Sequence, residues 1–265
     1  MLSQRISRRS LASDSFYENL KNMKIVKHIP NTITSMNLLC GVLGVIFTLR
    51  GDINIAFCLM LAAAVFDFCD GLTARLLNAY SDLGKQLDSL ADMVSFGILP
   101  AIMLYKLMLI AYGDSIWSYI PLVIAIFSAL RLAKFNIDER QSDNFIGLAT
   151  PACAMICGSF TYYATNDPSS ILYAWASTRL FIPVSALILS ALLISEIPMF
   201  SMKFKKKMIA GTPIHKQRVS FAAVIIVSII LTVLLGLNWS FIVLLTFVSY
   251  IVMNVGIALI FKKRS

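Results

Sequence analysis

Apolar residues recur in eight long runs, at about 32–50, 54–79, 84–110, 117–136, 148–165, 172–195, 219–236 and 240–261. Each run is close to the roughly 20 residues that carry a helix across a bilayer. The chain is 58% hydrophobic and only 14% charged over 265 residues, where a soluble domain carries about 25% charged residues. A water-soluble core cannot absorb that much apolar sequence. The expected fold class is all-α: a polytopic transmembrane helix bundle of about eight spans forming one integral domain. The gaps between runs are short, which suits antiparallel neighbours.

The net charge of +9 is distributed in a way that argues against nucleic acid as a partner. The excess cations sit between the apolar runs. Arg5, Arg8, Arg9, Lys21, Lys24 and Lys27 precede the first run; Lys203, Lys205, Lys206, Lys207, Lys216 and Arg218 fill the sixth gap; Lys262, Lys263 and Arg264 close the chain. The fifth and seventh gaps hold none. Alternation of this kind marks cytoplasmic loops and contact with anionic lipid headgroups. With eight spans it predicts both termini in the cytoplasm. Residues 1–22 do not read as a signal peptide; they are expected to be a disordered extension or a misplaced start before Met23. Cys40, Cys58, Cys69, Cys153 and Cys157 lie in apolar stretches with no C-x-x-C spacing, which predicts small buried thiols rather than disulfides or a zinc site.

Ionisable residues within membrane helices are costly and call for a reason. The second run ends Asp67-Phe68-Cys69-Asp70-Gly71-Leu72-Thr73-Ala74-Arg75, and the third opens Gly84-Lys85-Gln86-Leu87-Asp88-Ser89-Leu90-Ala91-Asp92. On a helix Asp67 and Asp70 share a face with Gly71 and Ala74; Asp88 and Asp92 share one with Gly84. The short turn from Leu77 to Leu83 folds the helices together, so the carboxylates converge. Arg75 and Lys85 offset only part of their mutual repulsion. Carboxylate oxygens suit hard cations such as Mg²⁺, Mn²⁺ or Ca²⁺. Two divalent ions would neutralise the acids, and metals ~3.5–4 Å apart clamp displacement reactions at phosphorus. Gly71, Ala74 and Gly84 leave room for a pyrophosphate beside the acids.

The string Asp67-x-x-Asp70-Gly71-x-x-Ala74-Arg75-x8-Gly84-x3-Asp88-x3-Asp92 resembles the signature of the CDP-alcohol phosphatidyltransferases at every fixed position. The resemblance implies a six-helix catalytic core, a homodimer and a cytoplasm-facing site. It implies that Asp67, Asp70, Asp88 and Asp92 bind two Mg²⁺ or Mn²⁺ ions, with Asp92 also the general base. It places the CDP part of the donor around Gly71, Ala74, Arg75 and Gly84. The division this suggests is a basic segment over 1–27, a catalytic core over 28–218, and two further transmembrane helices with a basic tail over 219–265.

Other stretches resemble the phosphatidylserine synthase branch of that family. They are Asn31-x-x-Thr34-x-x-Asn37, Met93-Val94-Ser95-Phe96-Gly97, Arg131-Leu132-Ala133-Lys134-Phe135-Asn136, Gly147-Leu148-Ala149 and Ser195-Glu196-Ile197-Pro198. Lys134 and Ala149 depart from the Arg and Pro usual there; Lys keeps the charge but loses the bidentate fork. The resemblance implies donor binding by Asn31, Thr34 and Asn37. It implies transfer of phosphatidyl from CDP-diacylglycerol to L-serine, releasing CMP, in a bacterial inner membrane. A serine site needs a cation and polar acceptors, and Arg131 and Asn136 are the candidates. The rival readings are a phosphorylated acceptor, such as glycerol 3-phosphate or inositol phosphate, held by Arg131, Lys134 and Arg140, and, further off, a cation transporter.

Overall fold

The computed structural model describes residues 28–138, 145–199 and 213–262. The basic N-terminal segment, Arg140 and the Lys203–Lys207 cluster lie outside these residues, and so do the expectations attached to them. The described chain is helical apart from one two-residue ladder. Its elements are α1 (His28–Arg50), α2 (Ile53–Leu76), α3 (Asp82–Asp92), a π-helical segment (Met93–Ile98), α4 (Leu99–Ala111), a 3₁₀ segment (Ile116–Leu122), α5 (Val123–Ile137), β1 (Phe145–Ile146), α6 (Thr150–Asn166), α7 (Ile171–Ala176), α8 (Phe181–Ile194), β2 (Pro198–Met199), α9 (Pro213–Leu234) and α10 (Ser240–Lys262).

The protein is an all-α polytopic membrane bundle. His28–Arg50, Ile53–Leu76, Asp82–Ala111, Ile116–Ile137 and Ser240–Ala258 are long and apolar enough to cross a membrane. Phe181–Ile194 and Ser220–Leu234 are shorter apolar helices. The outward faces carry large apolar side chains such as Phe68, Leu76, Ile126 and Val233, which a lipid environment accommodates and water does not. Cys58 is exposed on such a face, a departure from the expected buried thiol that bilayer surroundings explain.

α6 is the central helix, buried along nearly its whole length. Cys153, Cys157, Phe160 and Tyr163 pack there with Leu104, Leu189 and Leu193. α10 lies along it, with the Tyr163 and Phe241 rings 5.7 Å apart. The sixth apolar run does not continue as one helix. It breaks between Ala176 and Phe181, where Ser177 and Thr178 donate their hydroxyls to the carbonyls of Ala174 and Trp175. Such local bonds compete with helix continuation.

The third run is also more elaborate than its sequence suggests. It runs from Asp82 to Ala111 but widens into a π segment directly after Asp92. Pro100 has no N–H and its ring crowds the carbonyl four residues back. The wider turn relieves this, and the Leu99 N–H reaches back to the Val94 carbonyl instead.

α1 packs against this segment through an inward stripe of Thr34, Asn37, Gly41, Gly44 and Thr48. A Cβ at Gly41 would meet Ser95 Oγ and lie 2.9 Å from Ser95 Cα. The bare α-carbon therefore sets how closely α1 approaches Asp92. Gly41→Val is expected to destabilise the protein by about 1–3 kcal/mol, the usual range for overpacking. Thermal unfolding in detergent measures it.

Candidate active site

The acids stand where α2 ends and α3 begins. α2 stops at Leu76, and Asn78 takes a left-handed φ of 47°, which Asn tolerates better than most residues. The Ala79 N–H returns to the Ala74 carbonyl at 3.0 Å. Ser81 then caps α3, its hydroxyl accepting from the Gly84 N–H at 3.0 Å. Asp82 in the first turn complements the helix dipole. The connection reverses the chain in a few residues and brings three of the four acids, Asp67, Asp70 and Asp88, to one point, where the sequence predicts all four.

Carboxylate oxygens of Asp67, Asp70 and Asp88 all lie within 4.8 Å of one another. Hard oxygen donors at that spacing could hold a divalent cation. Asp92 lies outside this trio, as buried as Asp70, and accepts from Asn37 Nδ2 at 3.2 Å. It remains within the electrostatic field of Asp67, Asp88 and Asp70. Thr34 Oγ1 stands 2.5 Å from Asp70 Oδ2 and 3.0 Å from the Pro30 carbonyl, so its one proton is shared. α1 thus presents a donor to one acid of each pair.

A cavity of about 520 Å³ opens above the acids. Asp70 and Asp88 line it, as do Asn31, Thr34, Gly71, Ala74 and Gly84 from the sequence-predicted donor site. Asn37 and Arg75 do not. Arg75 is exposed and bonds its own helix, Nε to the Gly71 carbonyl at 3.1 Å. Gly84 gives its space to Asn31, since a Cβ there would sit 2.9 Å from Asn31 Oδ1. Tyr80 and Lys85 also face the cavity. Sequence reading gave Tyr80 no role, because nothing in its spacing ties a residue in a turn to a site.

Arg131 and Asn136 are not brought together. Five residues apart on α5, they point about 140° from each other around the helix. Arg131 is 4% exposed, donating Nε to the Leu148 carbonyl at 3.2 Å and lying 5.3 Å over the Phe135 ring. Asn136 turns the other way and donates Nδ2 to Ser89 Oγ at 2.8 Å. Lys85 Nζ reaches the Asn136 carbonyl at 2.9 Å. This ties the end of α5 to the helix that bears Asp88 and Asp92. Lys134 pairs with Glu196 at 3.8 Å, an exposed contact worth little stability.

The β1–β2 ladder pairs Phe145 with Met199 and Ile146 with Pro198. Beyond it Gly147, at φ 78°, donates to the Ile197 carbonyl at 2.9 Å. This turn delivers the Leu148 carbonyl that holds Arg131.

A membrane bundle with acids gathered beside a cavity of about 520 Å³ defines a class: an integral membrane protein with a carboxylate site that could hold a metal ion. Residues 27–192 match the family model described as CDP-alcohol phosphatidyltransferase. The chain is similar to a CDP-diacylglycerol–serine O-phosphatidyltransferase of Bacillus subtilis, 38% identical over 52% of this chain and 78% of that protein. It is similar to an archaetidylserine synthase of Methanothermobacter thermautotrophicus, 34% identical over 62% of this chain and 68% of that protein. A CDP-diacylglycerol–serine O-phosphatidyltransferase of Mycobacterium leprae is 30% identical over 84% of this chain and 73% of its own length. The chain belongs to the CDP-alcohol phosphatidyltransferase family. It is a multi-pass membrane transferase of phospholipid synthesis, and its reaction is phosphatidyl transfer from a CDP-alcohol.

Proposed function

We propose that this enzyme transfers phosphatidyl from CDP-diacylglycerol to L-serine, forming phosphatidylserine and CMP. The observation that carries the reading is the convergence of Asp67, Asp70 and Asp88 beside a cavity lined by Asn31, Thr34, Gly71, Ala74 and Gly84. In this reading the cavity takes the CDP part, with the diacylglycerol chains in the bilayer. Asp67, Asp70 and Asp88, with Asp92 behind them, would hold two Mg²⁺ or Mn²⁺ ions. Bound there, divalent cations neutralise charge on the pyrophosphate. Thr34 fixes Asp70, and Asp92 takes the proton of the serine hydroxyl. The serine oxygen attacks the phosphorus bearing diacylglycerol, and CMP leaves. Catalysis is mostly positioning and electrostatics.

Serine as acceptor is supported by the names of the similar proteins and by the state of the cations. Among the described residues Arg131 is the one buried cation. That matches one carboxylate better than a phosphate, which calls for further cations, and Lys134 is directed to Glu196. Arg131 holds the serine carboxylate in this reading. Asn136, strapped to Ser89, sets α5 against α3 rather than meeting the amino acid. The active site and both termini face the cytoplasm, in a bacterial inner membrane. The core extends over 28–218, the protein works as a homodimer, and the basic loops meet anionic headgroups.

Purified protein given labelled CDP-diacylglycerol should release CMP with serine at a rate at least about tenfold above that with glycerol 3-phosphate, since a site lacking the extra cations leaves the phosphate uncompensated. The reverse preference would remove serine as the acceptor.

A further inference from the structure

Two side chains on the inward stripe of α1 end on carboxylates: Thr34 on Asp70 and Asn37 on Asp92. Asn37 is fully buried and does not line the 520 Å³ cavity, so a nucleotide seated there does not touch it. Its chemistry is directed at Asp92 alone.

The amide is fixed from several directions. Nδ2 donates to Asp92 Oδ1 at 3.2 Å. The main-chain carbonyl of Asn37 accepts from Ser95 Oγ at 3.0 Å, in the π segment just after Asp92. Gly41, one turn along α1, lets the two backbones approach at that point. Side chain and backbone of Asn37 are therefore both tied to the stretch that carries the acid.

Asn37 Oδ1 is buried with no hydrogen-bond partner. An unmatched buried acceptor destabilises a fold. Packing alone gives no reason to keep an amide here, because an apolar side chain of similar size fills the space without an orphaned oxygen. What the amide adds is a donor aimed at Asp92.

We infer that Asn37 is a positioning residue for Asp92: its Nδ2 holds Oδ1 and leaves Oδ2 as the oxygen that meets the acceptor hydroxyl. The inference rests on the role of Asp92 in the proposed function. It replaces the donor-binding role that the family resemblance implied for Asn37.

Steady-state kinetics of the full chain in mixed micelles test it, with CDP-diacylglycerol and serine as substrates. Asn37→Ala is expected to lower kcat roughly 10–100-fold, the usual effect of losing a group that orients a reactive side chain. The KM for CDP-diacylglycerol should stay within about twofold of wild type, since no donor contact is removed. Asn37→Asp is expected to be worse than Asn37→Ala despite its shape, because it sets a like charge against Asp92. An unchanged kcat in Asn37→Ala overturns the inference, and so does a raised KM for CDP-diacylglycerol at wild-type kcat. If Asn37→Ala does not survive purification, Asn37→Ser, too short to reach Asp92, is read by the same constants. Wild-type protein that releases no CMP with serine defeats the proposed function; wild type that turns over beside variants of undiminished kcat defeats only the role of Asn37.

Discussion

Asp92→Asn is expected to reduce turnover about 10³-fold or more, within the range general-base catalysis supplies together with its electrostatic setting, while CDP-diacylglycerol still binds. Asp92 sits outside the trio of Asp67, Asp70 and Asp88 and outside the cavity lining, so the substitution leaves the trio and that lining in place for the donor. The substitution is nearly isosteric, and the new amide oxygen still accepts from Asn37, so α1 and α3 remain in register. What disappears is the ability to take a proton, together with one of the four charges that would hold the ions. Labelled serine incorporation measures the first effect, and equilibrium binding of CDP-diacylglycerol measures the second. Near-normal incorporation would remove Asp92 from its role. Lost binding with the fold intact would place it on the donor instead.

Removing divalent ions should stop the reaction completely and reversibly, with activity returning on addition of Mg²⁺ or Mn²⁺. Three carboxylates with oxygens within 4.8 Å repel one another by roughly 3 kcal/mol per pair at an effective dielectric constant of about 20. Neither Lys85, directed at the Asn136 carbonyl, nor Arg75, folded on its own helix, relieves that. A cation that binds the folded trio and not the unfolded chain also raises stability, by about 2.7 kcal/mol at a hundredfold excess over its dissociation constant. The melting temperature in detergent should therefore rise with Mg²⁺ or Mn²⁺ in the wild type and respond much less in Asp70→Ala. A chelated preparation that keeps its activity, or a melting temperature indifferent to both ions, would dismiss the metal reading.

The bundle and the meeting of three of the four acids were legible in the sequence because both follow from local periodicity. Runs near bilayer length declare helices. Acids three and four residues apart, on either side of a short turn, declare a common focus. The aspartates did not declare their inequality. Asp92 lies on the face of Asp88 by spacing, yet it stands apart from the other three, where the approach of α1 gives it Asn37. That arrangement depends on Gly41 and Ser95, which lie 54 residues apart and carry no mutual signal. Arg131 and Asn136 were grouped for their chemistry, although helical geometry alone separates them. The break after Ala176 was hidden because an interrupted apolar run has the same composition as a continuous one.

α2 shows two faces within its last turns. Asp67, Asp70, Gly71 and Ala74 turn toward the acids and the cavity, while Val65, Phe68, Leu72 and Leu76 stay exposed on the outer flank. One helix thus carries both the acids and an apolar flank suited to hydrocarbon. In the proposed reading, CDP-diacylglycerol is met as a solute of the membrane and need not leave its leaflet to react. Its effective concentration is a mole fraction of the surrounding lipid, so diluting the membrane with inert lipid slows the encounter even when the amount per litre is held constant.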